Sequence, residues 1–341
     1  MSPPATFIGR LELKVEQQFS SQYVGYLLGA GASYLDGQGY PLADNLWHHI
    51  DVKIPAPERD EIRAKLDEGA GGIERALDLL DDGAAIEKQH RHLVTEAIAE
   101  HFLSITPPTT YHQNFVSRLA LRQEISVPVF CLNYDGLVEL AADAEHVRVV
   151  DGFLGLERPF FEPQTFQECF ALTHRGPRKP QADWRKGIIH LYKLHGSLGW
   201  FNFGNYDVCK LGLGSSTPGG AKRLMVPPQH RKATDTTAPP YAALWSDFRG
   251  QLCHGPNLIN RLVSIGYGFR DEHINSVIEN ALARGNFTLL AFAYNLTPEV
   301  FARWSTKKNV IIVTNSQCAL YGEVGAGHPQ LWSFEEITRR V

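Results

Sequence analysis

Four short polar clusters, each directly after an apolar run, carry the residue types that could do chemistry. They are Gly29-Ala-Gly-Ala-Ser33, Asn133-Tyr-Asp135, His195-Gly-Ser197 and Gly266-Tyr-Gly-Phe269. Together they supply a glycine turn suited to phosphate, an amide, carboxylates and an imidazole. The imidazole is the side chain best suited to proton transfer near neutral pH, and the glycine beside it leaves room for a substrate.

The runs before these clusters have the length and the β-branched or aromatic content of buried strands. They cover residues 23–28, 127–132, 188–194 and 262–265. Open α/β sheets bind ligands beyond the carboxyl ends of their strands, so we expect the four clusters to meet at one edge. The last third of the chain alternates strand and helix, which is typical of a parallel sheet. We therefore predict an α/β fold: a Rossmann-like open parallel sheet with helices on both faces.

The sequence between the first two predicted strands has a different character. Residues 51–105 are almost entirely helix-forming, which predicts an inserted helical lobe within a sheet domain made of residues 1–50 and 106–341. Residues 157–184 are predicted to have no regular secondary structure. Residues 202–240 are rich in Gly, Ser, Thr and Pro, which favours a long loop excursion.

Composition excludes several classes of function. The 341 residues are 43% apolar and 21% charged with a net charge of −4, so no overall basic field attracts nucleic acid or an anionic membrane. A local basic run within 175–186 (Arg175, Arg178, Lys179, Arg185 and Lys186) is interpreted as a solvated loop. No stretch is long and apolar enough to span a membrane and no signal peptide is recognised, so we expect a cytoplasmic protein. The five cysteines form no Cys-x-x-Cys pair, so we expect neither a disulfide framework nor a metal site.

Each cluster also has a purely structural interpretation. Tyr34 stands where the dinucleotide fingerprint has its third glycine, so the first cluster could be an ordinary tight turn. Asn133 and Asp135 could cap the helix that follows them, and Asp271 is predicted to be a helix N-cap. His273 and Asn275 could face either the site or a subunit interface.

Taken together and in this order, the clusters resemble the sirtuin superfamily. Finer motifs are similar to the bacterial sirtuin-like NAD hydrolases of antiphage defence: Tyr40-Pro-x5-Trp47, Asn133-Tyr-Asp135, Leu194-His-Gly-Ser-x2-Trp200, Val226-Pro-Pro228 and Gly266-Tyr-x-Phe-x-Asp-x-His-Ile-Asn275. The resemblance runs from about Tyr23 to Asn315. Sirtuin deacylases normally carry a four-cysteine zinc ribbon, which this sequence lacks.

The resemblance implies catalytic roles for three residues. Asn133 and Asp135 would position the nicotinamide end of NAD and the attacking water. His195 would act as a general base towards the ribose hydroxyl or water.

The resemblance also implies residues that bind the rest of the dinucleotide. The turn made of Gly29, Ala30 and Gly31, with Ser33, would hold the pyrophosphate. Gly266 and Tyr267 would line the adenosine side, and Asn295 or Asn315 would reach the adenine ribose.

The implied activity is cleavage of NAD, as substrate, to nicotinamide and ADP-ribose, with no metal. Such an enzyme would deplete NAD in a phage-infected cell, so it must stay silent until infection. We expect control by self-assembly into a homo-oligomer or by a separate partner, such as a HerA-type ATPase or a short Argonaute, without direct binding of nucleic acid or membrane. The alternatives are an NAD-dependent protein deacylase and a non-catalytic NAD or ADP-ribose-binding assembly module. Whether the product is ADP-ribose or a cyclised form stays open.

Overall fold

The computed structural model describes residues 6–341 except 71, 82–88, 123, 125, 168–170, 174–181, 185–186, 206, 226–238 and 256–257. The basic run within 175–186 and the Val226-Pro-Pro228 motif lie outside the described residues. The strands, in chain order, are β1 Val24–Leu28, β2 Ser126–Cys131, β3 Val149–Val150, β4 Phe153–Leu154, β5 Phe160–Phe161, β6 Ala171–Thr173, β7 Ala182–Trp184, β8 Ile188–Lys193, β9 Gly196–Asn202, β10 Val208–Lys210, β11 Lys222–Met225, β12 Arg261–Ile265, β13 Thr288–Phe292, β14 Val310–Val313, β15 Gln317–Leu320 and β16 Glu323–Ala326.

The α-helices of the described residues lie before, between and after these strands. They are α1 Phe7–Phe19, α2 Ala30–Tyr34, α3 Ala43–Ile50, α4 Ala56–Asp67, α5 Ile73–Asp81, α6 His90–Leu103, α7 Thr110–Ala120, α8 Leu137–Ala144, α9 Tyr241–Arg249, α10 Glu272–Leu282, α11 Pro298–Ser305 and α12 Phe334–Thr338. None of the helices in the described part of the chain has the length and apolar character needed to cross a membrane.

A largely parallel sheet forms the centre of the fold. In the described residues it has nine strands in the order β16-β15-β14-β13-β12-β1-β2-β8-β3. Every pair from β14 to β3 is parallel, and the antiparallel pairs are β14–β15 and β15–β16. The predicted α/β class with a Rossmann-like open sheet is therefore confirmed.

Helices cover both faces of this sheet because its strands are apolar on both sides. In β1, Tyr26 and Leu28 pack into one hydrophobic core with helices α1 and α3 to α8, whereas Leu27 packs into a second core with α9, α10 and α11. Helices α4, α5 and α6 lie between β1 and β2 in the sequence, at the place of the predicted lobe. Their apolar side chains, such as Ile62, Leu77 and Ile98, belong to the first of these cores.

A second sheet was not predicted. It is antiparallel, with strands in the order β11-β9-β10-β5-β4. Two of its strands, β10 and β11, lie in the segment 202–240 where a loop excursion was expected, and β5 lies in the segment expected to be irregular. These strands have two to four residues each, too few for a periodic pattern to be recognised. Because β9 begins at Gly196, this sheet starts directly beside His195.

Candidate active site

The four polar clusters follow four strands that lie side by side. β12, β1, β2 and β8 are neighbours and parallel, so their carboxyl ends open at one edge of the sheet. A cleft at this edge is lined by all four clusters, including Gly29, Asn133, Asp135, His195 and Gly266. Its position at β1 is the topological switch point of the sheet, because β2 lies on one side of β1 and β12 on the other. The expected meeting of the clusters is thus what the fold produces.

The expected binding residues divide between two clefts. Ala30, Ser33 and Tyr267 line the cleft described above, whereas Gly31 lines a second cleft, and Gly266 lines both. Asn295 and Asn315 are exposed and line neither of these two clefts. The other expected binding residues, Gly29 included, therefore line one or both of the clefts, and the two asparagines do not.

The glycines of the first and fourth clusters are needed because two backbones touch. The N–H groups of Gly29 and Gly31 donate to the carbonyl oxygens of Ile265 (2.9 Å) and Gly266 (2.9 Å). A Cβ atom on Gly29 would lie 2.6 Å from Tyr267 Cα, and one on Gly31 would lie 2.7 Å from Gly266 Cα. Gly266 itself has φ +65°, in the left-handed region. The glycine pattern that suggested phosphate binding thus has a structural cause of its own.

Asn133 ties the end of β2 to the turn after β1. Its side-chain Nδ2 donates to the carbonyl oxygen of Gly29 (2.9 Å) and to Ser33 Oγ (2.8 Å). Both amide hydrogens are therefore used inside the protein, and Oδ1 is the atom with which this side chain can accept a hydrogen bond from a ligand or water. The Ser33 hydroxyl, expected at a pyrophosphate, is engaged with Asn133.

The two carboxylate oxygens of Asp135 differ: one accepts a backbone hydrogen bond, and the other has no hydrogen-bond partner among the described residues. Oδ1 accepts from the N–H of Leu137 (3.0 Å), the first residue of α8, although the N-cap residue of that helix is Gly136. Oδ2 is buried and has no hydrogen-bond partner in the part of the chain that the structure describes, and Asp135 is only 3% exposed. A buried carboxylate oxygen without a partner is costly, which is typical of a group kept for a ligand or a water.

Below this loop lies a buried lysine. Lys193, the last residue of β8, is 1% exposed, and its Nζ donates to the backbone carbonyl of Asp135 and lies 3.7 Å from Glu139 Oε1. The lysine therefore connects the end of β8, where His195 follows, to the loop that carries Asn133 and Asp135.

The imidazole of His195 lies beside the carboxylate of a residue from the fourth cluster. Its Nε2 lies 3.2 Å from Asp271 Oδ2, and both side chains are almost fully buried. Asp271 Oδ1 accepts from the N–H of His273 (3.1 Å), so the predicted N-cap of α10 is confirmed. The hydroxyl of Tyr267 lies 3.0 Å from the carbonyl oxygen of Asp271 and accepts from its N–H (3.2 Å), which fixes the backbone of Asp271. Asn275 is fully buried, and its Oδ1 lies 3.2 Å from the same hydroxyl.

The sequence analysis assigned only a capping role to Asp271, so it did not predict the contact between Asp271 and His195. Oδ2 lies beside His195 and Oδ1 accepts from the N–H of His273, so the carboxylate can serve both roles at once. Gly196 also has a different cause from the one expected: its φ is +82°, and a Cβ atom there would lie 2.2 Å from the carbonyl oxygen of Leu224. The close approach of β9 to β11 within the second sheet is therefore sufficient to explain this glycine.

The segment that leads into α3, helix α3 itself and helix α6 supply an apolar wall that sequence reasoning also missed. Tyr40, Pro41, Leu46 and Phe102 line the first cleft. The rings of Tyr40 and Phe102 stack with centroids 4.6 Å apart. Burial, and secondarily the nearby Asp135, raise the pKa of Tyr40 well above its usual value, so its hydroxyl stays protonated. This wall offers a flat, mostly apolar surface opposite the polar strand ends.

The second cleft lies on the other side of Gly266 and is rich in aromatic residues. Its lining includes Tyr34, Tyr111, Tyr294 and Trp332. Tyr111 donates to Glu335 Oε2 (3.1 Å), which joins this wall to the C-terminal helix α12. The two clefts both reach the glycine turns, because Gly266 lines each of them.

Negative charge predominates in the first cleft. Asp135, Asp271 and Glu272 line it, whereas Arg270 is the one Lys or Arg residue lining it in the described part of the chain. Arg303 pairs with Glu272 (2.7 Å), and this pairing lowers the pKa of that carboxyl group. Among the described residues, no group of three or more His, Cys, Asp or Glu side chains is arranged to hold a metal ion. Such a cleft suits a ligand that carries or develops positive charge near the strand ends.

Comparison with known proteins identifies a family for this chain. The model of the SIR2-like domain family matches residues 128–313, more than half of the chain. The chain therefore belongs to the SIR2-like domain family, within the sirtuin superfamily. Two similar solved structures are a mutant Sir2 homologue with 2′-O-acetyl ADP ribose (15% identity, 96% of this chain and 94% of that chain, TM-score 0.44) and a mutant Sir2 homologue with ADP ribose (12% identity, 96% and 95%, TM-score 0.46). Among curated proteins, none matches the sequence.

Proposed function

We propose that this protein is an NAD glycohydrolase, which cleaves the nicotinamide–ribose bond of NAD. The observation that carries the proposal is one cleft in which the His195–Asp271 pair lies together with Asn133 and the unsatisfied oxygen of Asp135. Membership of the SIR2-like domain family supports NAD as the substrate. Two clefts that share Gly266 at the glycine turns support a ligand with two halves.

The proposed reaction needs no acid for the leaving group. When the bond between ribose C1′ and the pyridinium nitrogen breaks, its electron pair moves to that nitrogen and nicotinamide leaves as a neutral molecule. The ribose becomes positively charged, and the carboxylates of Asp135 and Asp271 favour that charge in a partly dry cleft. Water then adds to C1′ and loses a proton to His195, which acts as a general base, while Asp271 stabilises the resulting imidazolium. The products are nicotinamide, ADP-ribose and a proton.

The test is release of nicotinamide from NAD by the purified protein, measured by chromatography with no acylated peptide present. We expect Asn133→Ala and His195→Ala to lower the rate by about 100-fold or more while both variants stay folded. The matched controls are Asn280→Ala and His92→Ala, which remove the same side-chain types from exposed positions on α10 and α6. Full turnover in either site variant would refute the assignment.

Two other outcomes point to the alternative functions. Nicotinamide release that requires an acyl-lysine peptide would indicate a deacylase. Tight binding of NAD with no turnover, alone or with any partner tested, would indicate a non-catalytic assembly module. The mass of the product separates ADP-ribose from a cyclised form.

The biological role in this proposal is antiphage defence by depletion of cytoplasmic NAD. It is supported by the motifs that resemble the bacterial sirtuin-like NAD hydrolases, above all Asn133-Tyr-Asp135 and Leu194-His-Gly-Ser197. Activity would be switched on by assembly of a homo-oligomer or by a partner such as a HerA-type ATPase or a short Argonaute. The test is the NAD content of infected bacteria that express the chain with its genomic neighbours. NAD should fall after infection with the parent chain but not with His195→Ala.

A further inference from the structure

The backbone at the glycine turn is poorly placed to neutralise a diphosphate. Of the four N–H groups from Gly29 to Ala32, three already donate to backbone carbonyls: Gly29 to Ile265, Gly31 to Gly266 and Ala32 to Gly29. The helix that follows, α2, has only five residues and ends in the left-handed Leu35 and Asp36. Its dipole and free donors are therefore limited, so a dianionic diphosphate needs a positive side chain nearby.

Arg270 is the cation in the right place. In the described part of the chain it is the one Lys or Arg residue that lines the first cleft, in company with Gly29, Ala30 and Gly266. Its guanidinium group forms a bidentate pair with Asp44: Nη2 donates to Oδ2 (2.9 Å), and Nη1 donates to Oδ1. The same planar fork that fits a carboxylate also fits two oxygens of a phosphate.

The Arg270–Asp44 pair joins α3 to the loop after β12 beside the first cleft, and it is exposed to solvent. Arg270 comes from the loop after β12, and Asp44 comes from the first turn of α3, next to the cleft residue Ala43. The side chains are 57% and 63% exposed, so water weakens the attraction between them. The pairing with Arg270 is the main reason that the pKa of Asp44 is lowered, and the carboxylate is ionised at neutral pH.

We propose that Arg270 binds the diphosphate of the dinucleotide and that Asp44 competes with the diphosphate for the same guanidinium group. This inference rests on the proposed NAD-cleaving function. Ligand binding then exchanges one bidentate partner for another, and the strap between α3 and the loop after β12 opens as the diphosphate enters. Asp44 lowers the affinity of the cleft for ligands with a diphosphate and leaves its affinity for nucleosides unchanged.

The test is equilibrium binding by calorimetry, with ADP-ribose as the diphosphate ligand and adenosine as the ligand without phosphate. Neither requires turnover. We expect Arg270→Gln to weaken ADP-ribose binding about tenfold or more, and Arg270→Lys to recover part of the loss. We expect Asp44→Asn to tighten ADP-ribose binding about two- to fivefold, as breaking an exposed ion pair predicts. In the Arg270→Gln background, Asp44→Asn should have no effect, and adenosine binding should stay constant throughout.

The matched control for Asp44→Asn is Glu299→Gln. Glu299 is an exposed acid at the second residue of α11, just as Asp44 is at the second residue of α3, so both changes remove one first-turn charge. This control should leave both affinities unchanged.

The outcomes separate the inference from the proposed function. If the parent binds ADP-ribose but Arg270→Gln binds it equally well, the inference is wrong and the proposed function stands. If Asp44→Asn tightens binding equally without Arg270, competition for the guanidinium is refuted. If the parent binds neither ADP-ribose nor NAD, the proposed function itself fails.

Discussion

His195 Nε2 lies 3.2 Å from Asp271 Oδ2, which joins the end of β8 to the first turn of α10. The N–H of His273 donates to the other oxygen of this carboxylate, and the hydroxyl of Tyr267 hydrogen-bonds to the backbone of Asp271. An imidazole next to a fixed carboxylate is oriented and can take up a proton at lower cost. Asp271 is thus a positioning residue for His195 in the proposed reaction, and its own position depends on the cap of α10.

We expect Asp271→Asn to lower kcat of NAD cleavage about 100-fold with a smaller change in KM. Asparagine is also a good N-cap residue, so α10 should keep its start and the thermal midpoint should hardly move. The acidic limb of the pH–rate profile should move to lower pH, because the imidazolium loses a neighbouring negative charge. Asp143→Asn, at an exposed site, is the control. An unchanged rate and pH profile would contradict the role of Asp271.

The backbone contact between the first and fourth clusters predicts a stability effect. In Gly31→Ala the new Cβ atom would lie 2.7 Å from Gly266 Cα, so β1 and β12 must move apart at their ends. Overpacking of this kind costs about 1–3 kcal/mol in the free energy of unfolding, measured in urea. Gly214→Ala is the control, because a Cβ atom there meets no other atom within 4 Å. Equal stability of the two variants would contradict the close contact.

The buried lysine under the loop of Asn133 predicts a second stability effect. Lys193→Met leaves the Glu139 carboxylate, itself nearly buried, without its cation and should cost about 3–5 kcal/mol in the free energy of unfolding. Glu139→Gln removes the stranded charge, so in the Lys193→Met background it should restore part of the loss. A double-mutant cycle in urea measures this coupling, and strictly additive effects would show that the two side chains do not interact.

Sequence patterns predicted the central sheet because its strands are apolar runs that precede glycine or polar clusters, as in residues 127–132 and 262–265. The same reasoning predicted that the four clusters lie at one edge of the sheet. Sequence patterns do not predict which side chains of distant elements come into contact. Arg270 and Asp44 are 226 positions apart, and their pairing depends on how α3 turns back over the cleft. The aromatic wall of Tyr40 and Phe102 likewise exists only after α6 packs beside α3.

The second sheet shows the same limit for secondary structure. Its strand β11 pairs with β9 across the segment 202–240, and a bulge interrupts the register between Arg223 and Met225. Strands this short are stabilised by their partners and leave little alternation in their own sequence. The compositional signal of Gly, Ser, Thr and Pro therefore indicated a loop where two strands form.

Two buried histidines predict how stability depends on pH. Burial lowers the pKa of His112 to about 4 and that of His190 to about 4, from 6.5 in an unfolded chain. Above pH 6.5 both are neutral in the folded and the unfolded chain. As the pH falls from 6.5 towards 4, only the unfolded chain takes up these protons, so the free energy of unfolding must decrease.

Mutation of His112 should remove its contribution to this decrease in the free energy of unfolding. His112 packs against Phe334 of α12 with ring centroids 4.8 Å apart, and it loses up to about 3 kcal/mol of stabilisation between pH 6.5 and pH 4. In His112→Gln, which has no titrating ring, the urea midpoint should fall less steeply over this range, even if it starts lower at pH 7. His48→Gln, at an exposed position on α3, should keep the slope of the parent. Equal slopes in the parent and His112→Gln would show that His112 takes up its proton while the protein is folded, and would contradict its burial against α12.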